Sequence, residues 1–289
     1  VSVTVYLNPK VLELMEILPT LLQGDLFDRL KELPKCSIAA VITSPPYADQ
    51  RKAQYGGIVE QEYPQWTVRW MEELRPALSE HASIAIVIRP HVAHGQVSDY
   101  VLRTRLAVRE AGWCEADELI WIKPTAPALG HNKRPRRSWE HILWFSNSTK
   151  PFCDPVAFGV GVPSTRLGLE SSKGMGDYLH DPEARTTYEG VARCRDYIGV
   201  ATHETNRDEF NTHPAQYPEK LADWLIRLLC PREGTVLDPF AGSGTTLVAA
   251  KRAGYRSIGF EIRSDYIAIA VRRLAQLDRR GGDFFKFDA

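Results

Sequence analysis

The sequence predicts an α/β fold in which a mostly parallel sheet is doubly wound, with helices on both faces. Three observations predict it. Apolar runs of strand length recur at 38–43, 83–88, 119–122, 141–146, 235–238 and 256–260, and runs of this kind suit strands buried on both sides. Helical patterns lie between several of them. Over 218–230, Leu221, Trp224, Leu225, Leu228 and Leu229 share one stripe; from Asp265 to about Leu277, Ile267, Val271 and Leu274 are spaced to face a core. Arginines and then Gly281-Gly282 follow that second pattern, which is a helix stop. Finally, Val236-Leu237-Asp238-Pro239-Phe240-Ala241-Gly242-Ser243-Gly244-Thr245-Thr246 reads as strand, glycine loop and helix in one unit.

Composition bounds what the fold does. With 289 residues, 44% hydrophobic and 25% charged, the chain has ordinary globular proportions. Its 36 basic and 36 acidic residues cancel, so any attraction to nucleic acid must come from a local basic face. Five scattered cysteines without a C-x-x-C pair support neither a zinc site nor a disulfide framework, and a reducing cytoplasm is the simplest home. No metal-ligand cluster is visible. No apolar run reaches membrane-spanning length and no signal-peptide pattern is present; the chain starts at Val1, which leaves its true start open.

The first chemical motif follows the run Ile38-Ala39-Ala40-Val41-Ile42. There Thr43-Ser44-Pro45-Pro46-Tyr47 ends a strand with two prolines, which stiffen the backbone and remove two N–H donors. The result is an edge offering a hydroxyl, free carbonyls and an aromatic face. A flipped base carrying an exocyclic amine needs that set: acceptors for two N–H bonds and a π-surface for the ring. The same residues also suit an ordinary proline turn.

The second motif is the glycine loop. Gly242 and Gly244 permit a tight turn and a close ligand, and the helix beginning near Thr245 aims N–H groups at it. Leu247 stands where a dinucleotide fingerprint needs a third glycine, which disfavours a pyrophosphate cofactor. Glu261 follows Gly244 by seventeen residues, after a second strand, placed to accept both ribose hydroxyls of a nucleoside. A nucleoside without pyrophosphate points to S-adenosylmethionine.

Together these segments resemble the S-adenosylmethionine-dependent amino methyltransferases of DNA. The amine motif precedes the cofactor motif by about 200 residues, the order of the permuted group called class beta. The resemblance covers residues from about 22 to 146 and 212 to 275. It implies a permuted Rossmann-like fold whose target-amine half spans 1–146 and whose cofactor half spans 212–289. The region 147–211 would be a small inserted target-recognition region, assigned by position; a long structural insertion is the other reading of it. The Ser-Pro-Pro-Tyr form is associated mainly with N4 of cytosine; N6 of adenine is the alternative, and RNA or a protein glutamine presents the same amine problem. A non-catalytic binding module of the same fold is the rival of another kind.

Roles follow from the resemblance residue by residue. Ser44 and the Pro45 carbonyl would accept the amine hydrogens, Pro46 would buttress the loop and Tyr47 would stack on the base. No strong general base is required, but serine accepts only if something orients its own proton, and the sequence identifies no such group. Asp25, followed by Leu26, would take the cofactor adenine amine, Glu261 the ribose, and Ile262 the adenine face. Pro239, Phe240, Ala241, Gly242, Ser243 and Gly244 would line the methionine portion. Asp238 would act on the amino group through water or brace the loop; Thr245 would bond the carboxylate or cap the helix. His213, Pro214 and Tyr217 look like the segment closing over the methionine end. For double-stranded DNA, Lys133, Arg134, Arg136 and Arg137 form a basic loop suited to phosphates, with Arg51 and Lys52 in a second loop. The resemblance also implies a cytoplasmic, nucleoid-associated enzyme of a prokaryote or phage. A restriction endonuclease acting on the same site, or a second copy of the chain, would be its protein partner.

Overall fold

In the computed structural model, the described residues are 19–49, 57–125, 134–158, 193–201 and 217–280. Ten strands are β1 (Thr20–Gln23), β2 (Ile38–Thr43), β3 (Leu78–Ile88), β4 (Val92–Ala93), β5 (Gln96–Val97), β6 (Cys114–Ile122), β7 (Trp139–Ser146), β8 (Tyr197–Gly199), β9 (Thr235–Asp238) and β10 (Arg256–Glu261). The helices are α1 (Leu26–Leu30), α2 (Tyr63–Leu74), α3 (Tyr100–Glu110), α4 (Glu219–Leu229), α5 (Thr245–Ala253) and α6 (Ser264–Arg280). Eight strands form one sheet in the order β1-β10-β9-β2-β3-β7-β6-β8, and β4 and β5 form a separate hairpin. Among the described residues only β7 runs against its neighbours in the large sheet, and the other pairings there are parallel.

The continuous apolar runs are explained by burial on both faces. Along β3, Ile84, Ile86 and Ile88 enter one core while Ala85 and Val87 enter the other, and β7 divides Leu143 and Phe145 from Ile142 and Trp144 in the same way. The first core lies under α1, α2 and α3; the second lies under α4 and α5. Each fully buried aliphatic side chain contributes about 1.5–3 kcal/mol, so both layers have a driving force of their own. In α4 all five stripe residues are buried, as the spacing predicts.

Other elements depart from expectation. The stripe of α6 is Tyr266, Ile269, Ala270, Arg273 and Leu274, whereas Val271 is 53% exposed. The i, i+3, i+4 pattern is present but displaced, because a buried arginine occupies one of its positions. The short strand β1 and the helices α1 and α3 carry too little apolar pattern to be read from sequence: α3 buries only Tyr100, Val101, Thr104 and Val108, between arginines. The interval 147–211 supplies a strand, since Tyr197–Gly199 pairs with Ile120–Ile122 and Trp121 Nε1 donates to the Val200 carbonyl at 2.8 Å. No helix among the described residues is long and apolar enough to cross a membrane.

Candidate active site

From adjacent strands, the chain departs in opposite directions. β9 leads through α5 to β10, and β2 leads through α2 to β3, while Ala40 pairs with Val236 and Val41 with Leu237. A crevice opens at the carboxyl ends of strands where the order reverses in this way, and such crevices hold ligands. The proline loop after β2 and the glycine loop after β9 therefore share one cleft. A side-chain bond ties them together: Thr43 Oγ1 donates to Asp238 Oδ1 at 2.7 Å across 195 residues of sequence.

Asp238 is the hub of that junction. Its carboxylate also accepts from the Phe240 N–H at 3.1 Å and from the Thr246 hydroxyl, to which the Tyr217 hydroxyl is bonded in turn. At 1% exposure, both oxygens are engaged within the protein, which is the arrangement of a brace. Burial pushes its pKa up to about 6, against the hydrogen bonds from Thr246, Thr43 and Phe240 that favour the ion. Since the folded value lies above the ordinary carboxylate value, the associated stability is complete below about pH 4 and is lost as pH rises through about 6. Urea unfolding of the wild type and of Asp238→Asn checks this. The wild type is expected to lose about 2 kcal/mol relative to the variant between pH 4 and pH 7; a constant difference would contradict it.

The cofactor side is assembled from three strand ends. Glu261 Oε2 accepts from the Gly242 N–H at 2.9 Å and Oε1 from the Arg263 N–H at 2.8 Å, while burial raises its pKa against those bonds. The Gly24 N–H donates to the Glu261 carbonyl at 3.0 Å, which sets Asp25 beside it. Asp25 is exposed and caps α1, its Oδ1 accepting from the Phe27 N–H at 2.9 Å. Leu26 is buried in the first core. Ile262 is 60% exposed directly after Glu261. Pro239 is buried, and the Phe240 ring packs on α2, 5.4 Å from Trp66 and 5.9 Å from Trp70.

In the glycine loop one expectation gains a further cause and one needs correction. Gly244 is required by the protein's own packing: its φ is 78°, and a Cβ there would lie 2.8 Å from Ala270 Cβ. Nor is Thr245 the cap of α5. Gly244 occupies that position, and Thr245 Oγ1 instead accepts from Arg273 Nη1 at 3.2 Å. The same guanidinium donates to the Ser243 carbonyl and hydroxyl at 2.7 and 3.0 Å and, through Nη2, to Glu219 Oε1 at 2.6 Å. Arg252 pairs with the other Glu219 oxygen at 3.0 Å. Arg273 and Glu219 thus fasten the glycine loop to α4, and sequence reasoning missed both; a charged residue on a buried stripe was the available signal.

On the amine side, Ser44, Pro46 and Tyr47 are half-buried and Pro45 is buried. Tyr47 Oη donates to Glu140 Oε2 at 2.6 Å. Burial and the Glu140 charge push the Tyr47 phenol well above its ordinary value. Glu140 Oε1 is bonded by Lys123 Nζ and lies 3.8 Å from Arg89 Nε. Burial lowers the Lys123 pKa, with Glu140 opposing. These groups stand at one edge of the sheet, after β2, β3 and β6 and at the start of β7. Three of them, Arg89, Lys123 and Glu140, were not singled out by the sequence.

A family model described as DNA methylase matches residues 38–272, most of the chain and both halves of this cleft. The chain belongs to the DNA methylase family. Among curated relatives, it is 27% identical over 287 residues to the type II methyltransferase M.PvuII of Proteus hauseri, covering 86% of this chain and 82% of the relative. It is 28% identical over 262 residues to M.ScaI of Streptomyces caespitosus, covering 88% and 80%. Among solved structures, the PvuII DNA methyltransferase (cytosine-N4-specific) superposes with a TM-score of 0.67 at 24% identity, over 88% of this chain and 86% of that one. The M1.HpyAVI–SAM complex gives 0.59 at 19% identity, over 89% and 99%. Both share the α/β fold.

A DNA methylase needs a basic rim beside its cleft, and the residues expected to form it divide. Arg134 and Arg136 are exposed, Arg134 donating to the Gly95 carbonyl of the β4–β5 hairpin. Arg137 is half-buried instead, and burial, followed by the charge of Arg89, lowers its pKa. Lys133, Arg51, Lys52, His213 and Pro214 lie outside the described residues. Tyr217 is buried and reaches the site through Thr246 rather than as an open wall.

Proposed function

We propose that this methylase transfers the methyl group of S-adenosylmethionine to the exocyclic N4 of a cytosine extruded from duplex DNA. The observation that carries the reading is the Thr43–Asp238 hydrogen bond. It joins the strand end bearing Ser44 to the strand end bearing the glycine loop, so donor and acceptor can meet in one crevice. The cytosine-N4 specificity of the PvuII enzyme supports N4 over adenine N6.

The donor set suits the cofactor. Glu261 offers its remaining lone pairs to ribose hydroxyls, Asp25 has a second oxygen beyond its cap bond, and Ile262 presents an uncovered apolar face beside them. S-adenosylmethionine supplies the electrophilic sulfonium methyl. The chain's own residues arrange the nucleophile: Ser44 Oγ and the Pro45 carbonyl accept the two amine hydrogens, which turns the nitrogen towards a tetrahedral geometry and frees its lone pair. Arg134 and Arg136 take phosphates, and part of 147–211 reads the target sequence. A restriction endonuclease cutting the same site would be the natural counterpart of such an enzyme.

Nucleoside mass spectrometry of unmethylated bacterial DNA, incubated with the protein and S-adenosylmethionine, tests the reading. N4-methylcytosine is expected. N6-methyladenine alone would reassign the base, and no product from folded protein that fails to bind S-adenosylmethionine calorimetrically would leave a binding module. A second expectation concerns Ile262. Ile262→Ser should weaken S-adenosylmethionine about fivefold, a loss of about 1 kcal/mol of apolar contact, with unfolding unchanged because the side chain is already exposed. Unaltered affinity in calorimetry would remove Ile262 from the site.

A further inference from the structure

Extruding a base from a duplex leaves neighbouring π-faces unstacked, and an exposed aromatic side chain beside the target pocket offers them a replacement. We propose that Trp139, with Ile120, Ile122 and Tyr197, forms a stacking surface for a base left unstacked beside the extruded cytosine. This rests on the extruded-cytosine reading above for the source of that base.

Strand register puts these side chains together. Across β6, β7 and β8, Ile122 pairs with Trp139, and Ile120 pairs with both His141 and Tyr197, so all five project from one face. Their alternating neighbours Leu119, Trp121, Ile142 and Ile198 enter the second core from the other face. Lower on the same face α3 supplies cover through Arg105, which donates to Glu118 Oε2 at 2.8 Å, and Glu118 in turn bonds His141. Towards the carboxyl end of β6 that cover stops. Trp139 is 46% exposed and Tyr197 38%, the two aromatic residues among the exposed large hydrophobic side chains described. Between Ile120, Ile122, Ser138 and Trp139 lies an open depression of about 300 Å³. His141 meets Trp139 edge to face with ring centroids 4.6 Å apart, which steadies the indole without enclosing it.

Position and charge decide what fits there. Trp139 directly precedes Glu140, which holds the Tyr47 hydroxyl of the amine motif at 2.6 Å, so the strip adjoins the place proposed for the target base. Exposed Arg134 and Arg136 precede Trp139, and exposed Arg195 donates to Tyr197 Oη at 2.6 Å. Aromatic and aliphatic groups between cations make a platform for unpaired nucleotides: bases stack on the rings and phosphates meet the arginines. A second copy of the chain seated on the strip would stand beside the cleft and obstruct the approach of duplex DNA.

A short labelled duplex carrying one unpaired thymine, compared with the same duplex fully paired, reads the surface by fluorescence anisotropy at fixed salt. The wild type is expected to bind the duplex with the unpaired base about tenfold more tightly. Trp139→Ala should remove that preference and leave affinity for the paired duplex within about twofold. Trp139→Phe keeps a ring and should keep most of the preference, whereas Arg134→Gln should weaken both duplexes by the same factor. The denaturant midpoint and the calorimetric affinity for S-adenosylmethionine should be unchanged in Trp139→Ala, because nearly half of the indole is already in solvent and the proposed cofactor contacts follow β1, β9 and β10. A wild type indifferent to the unpaired base, or a Trp139→Ala variant that keeps the preference, would overturn the inference. So would sedimentation showing a wild-type dimer that Trp139→Ala splits into monomers, since the strip would then belong to a second copy. Nucleoside analysis separates the two readings. A wild type that methylates cytosine with no dependence of DNA binding on Trp139 sinks the inference alone; no methylated base, with the preference for an unpaired base intact, sinks the parent reading alone.

Discussion

Ser44→Ala should lower methyl transfer by about 10²–10³-fold while the dissociation constant for S-adenosylmethionine stays within about twofold. The magnitude is that of deleting one preorganised hydrogen-bonding group used as charge develops, about 2.7–4 kcal/mol. The separation of effects comes from the sheet. Ser44 follows β2, whereas the proposed cofactor contacts follow β1, β9 and β10. Alanine should leave the loop in place, because Pro45 and Pro46 hold its backbone and the neighbouring Thr43 keeps its bond to Asp238. Single-turnover kinetics and calorimetry on the same preparation decide the matter. Equal loss of affinity and rate would mean that Ser44 supports the cleft as a whole.

Gly244→Ala should destabilise the protein by about 2–5 kcal/mol and abolish S-adenosylmethionine binding at concentrations that saturate the wild type. Two costs combine. A left-handed backbone, with φ of 78°, costs a non-glycine residue about 1–2 kcal/mol. The added Cβ would meet Ala270 Cβ at 2.8 Å, so α6 must shift, an overpacking cost of about 1–3 kcal/mol. Ala270→Gly removes the second cost and leaves the first, so the double variant should recover part of the lost stability. The coupling separates collision from backbone strain. Denaturant midpoints that show Gly244→Ala as stable as the wild type would overturn both parts.

Legibility differed between elements for physical reasons. The strand ends bearing Ser44 and Asp238 were readable because β2 and β9 are buried on both faces and their apolar runs stop abruptly at proline. Helix α4 was readable because nothing polar interrupts its stripe. In α6 the same rule misplaced the stripe, since Arg273 occupies a buried position where its donors serve Ser243, Thr245 and Glu219. β8 carries three residues and gains its place only by pairing with β6, so its own composition gives no warning.

By itself the sequence determined the fold class, the family and the two loops that carry the chemistry, because backbone restriction at proline and glycine and burial on a strand are local properties. Tertiary structure alone decided which side chains answer one another. It turned Asp238 into a brace and Asp25 into a helix cap, left Arg137 half-buried, and placed the glutamate and lysine behind Tyr47. Hydrogen bonds and ion pairs depend on distances between strands remote in the chain, and strand order sets those distances.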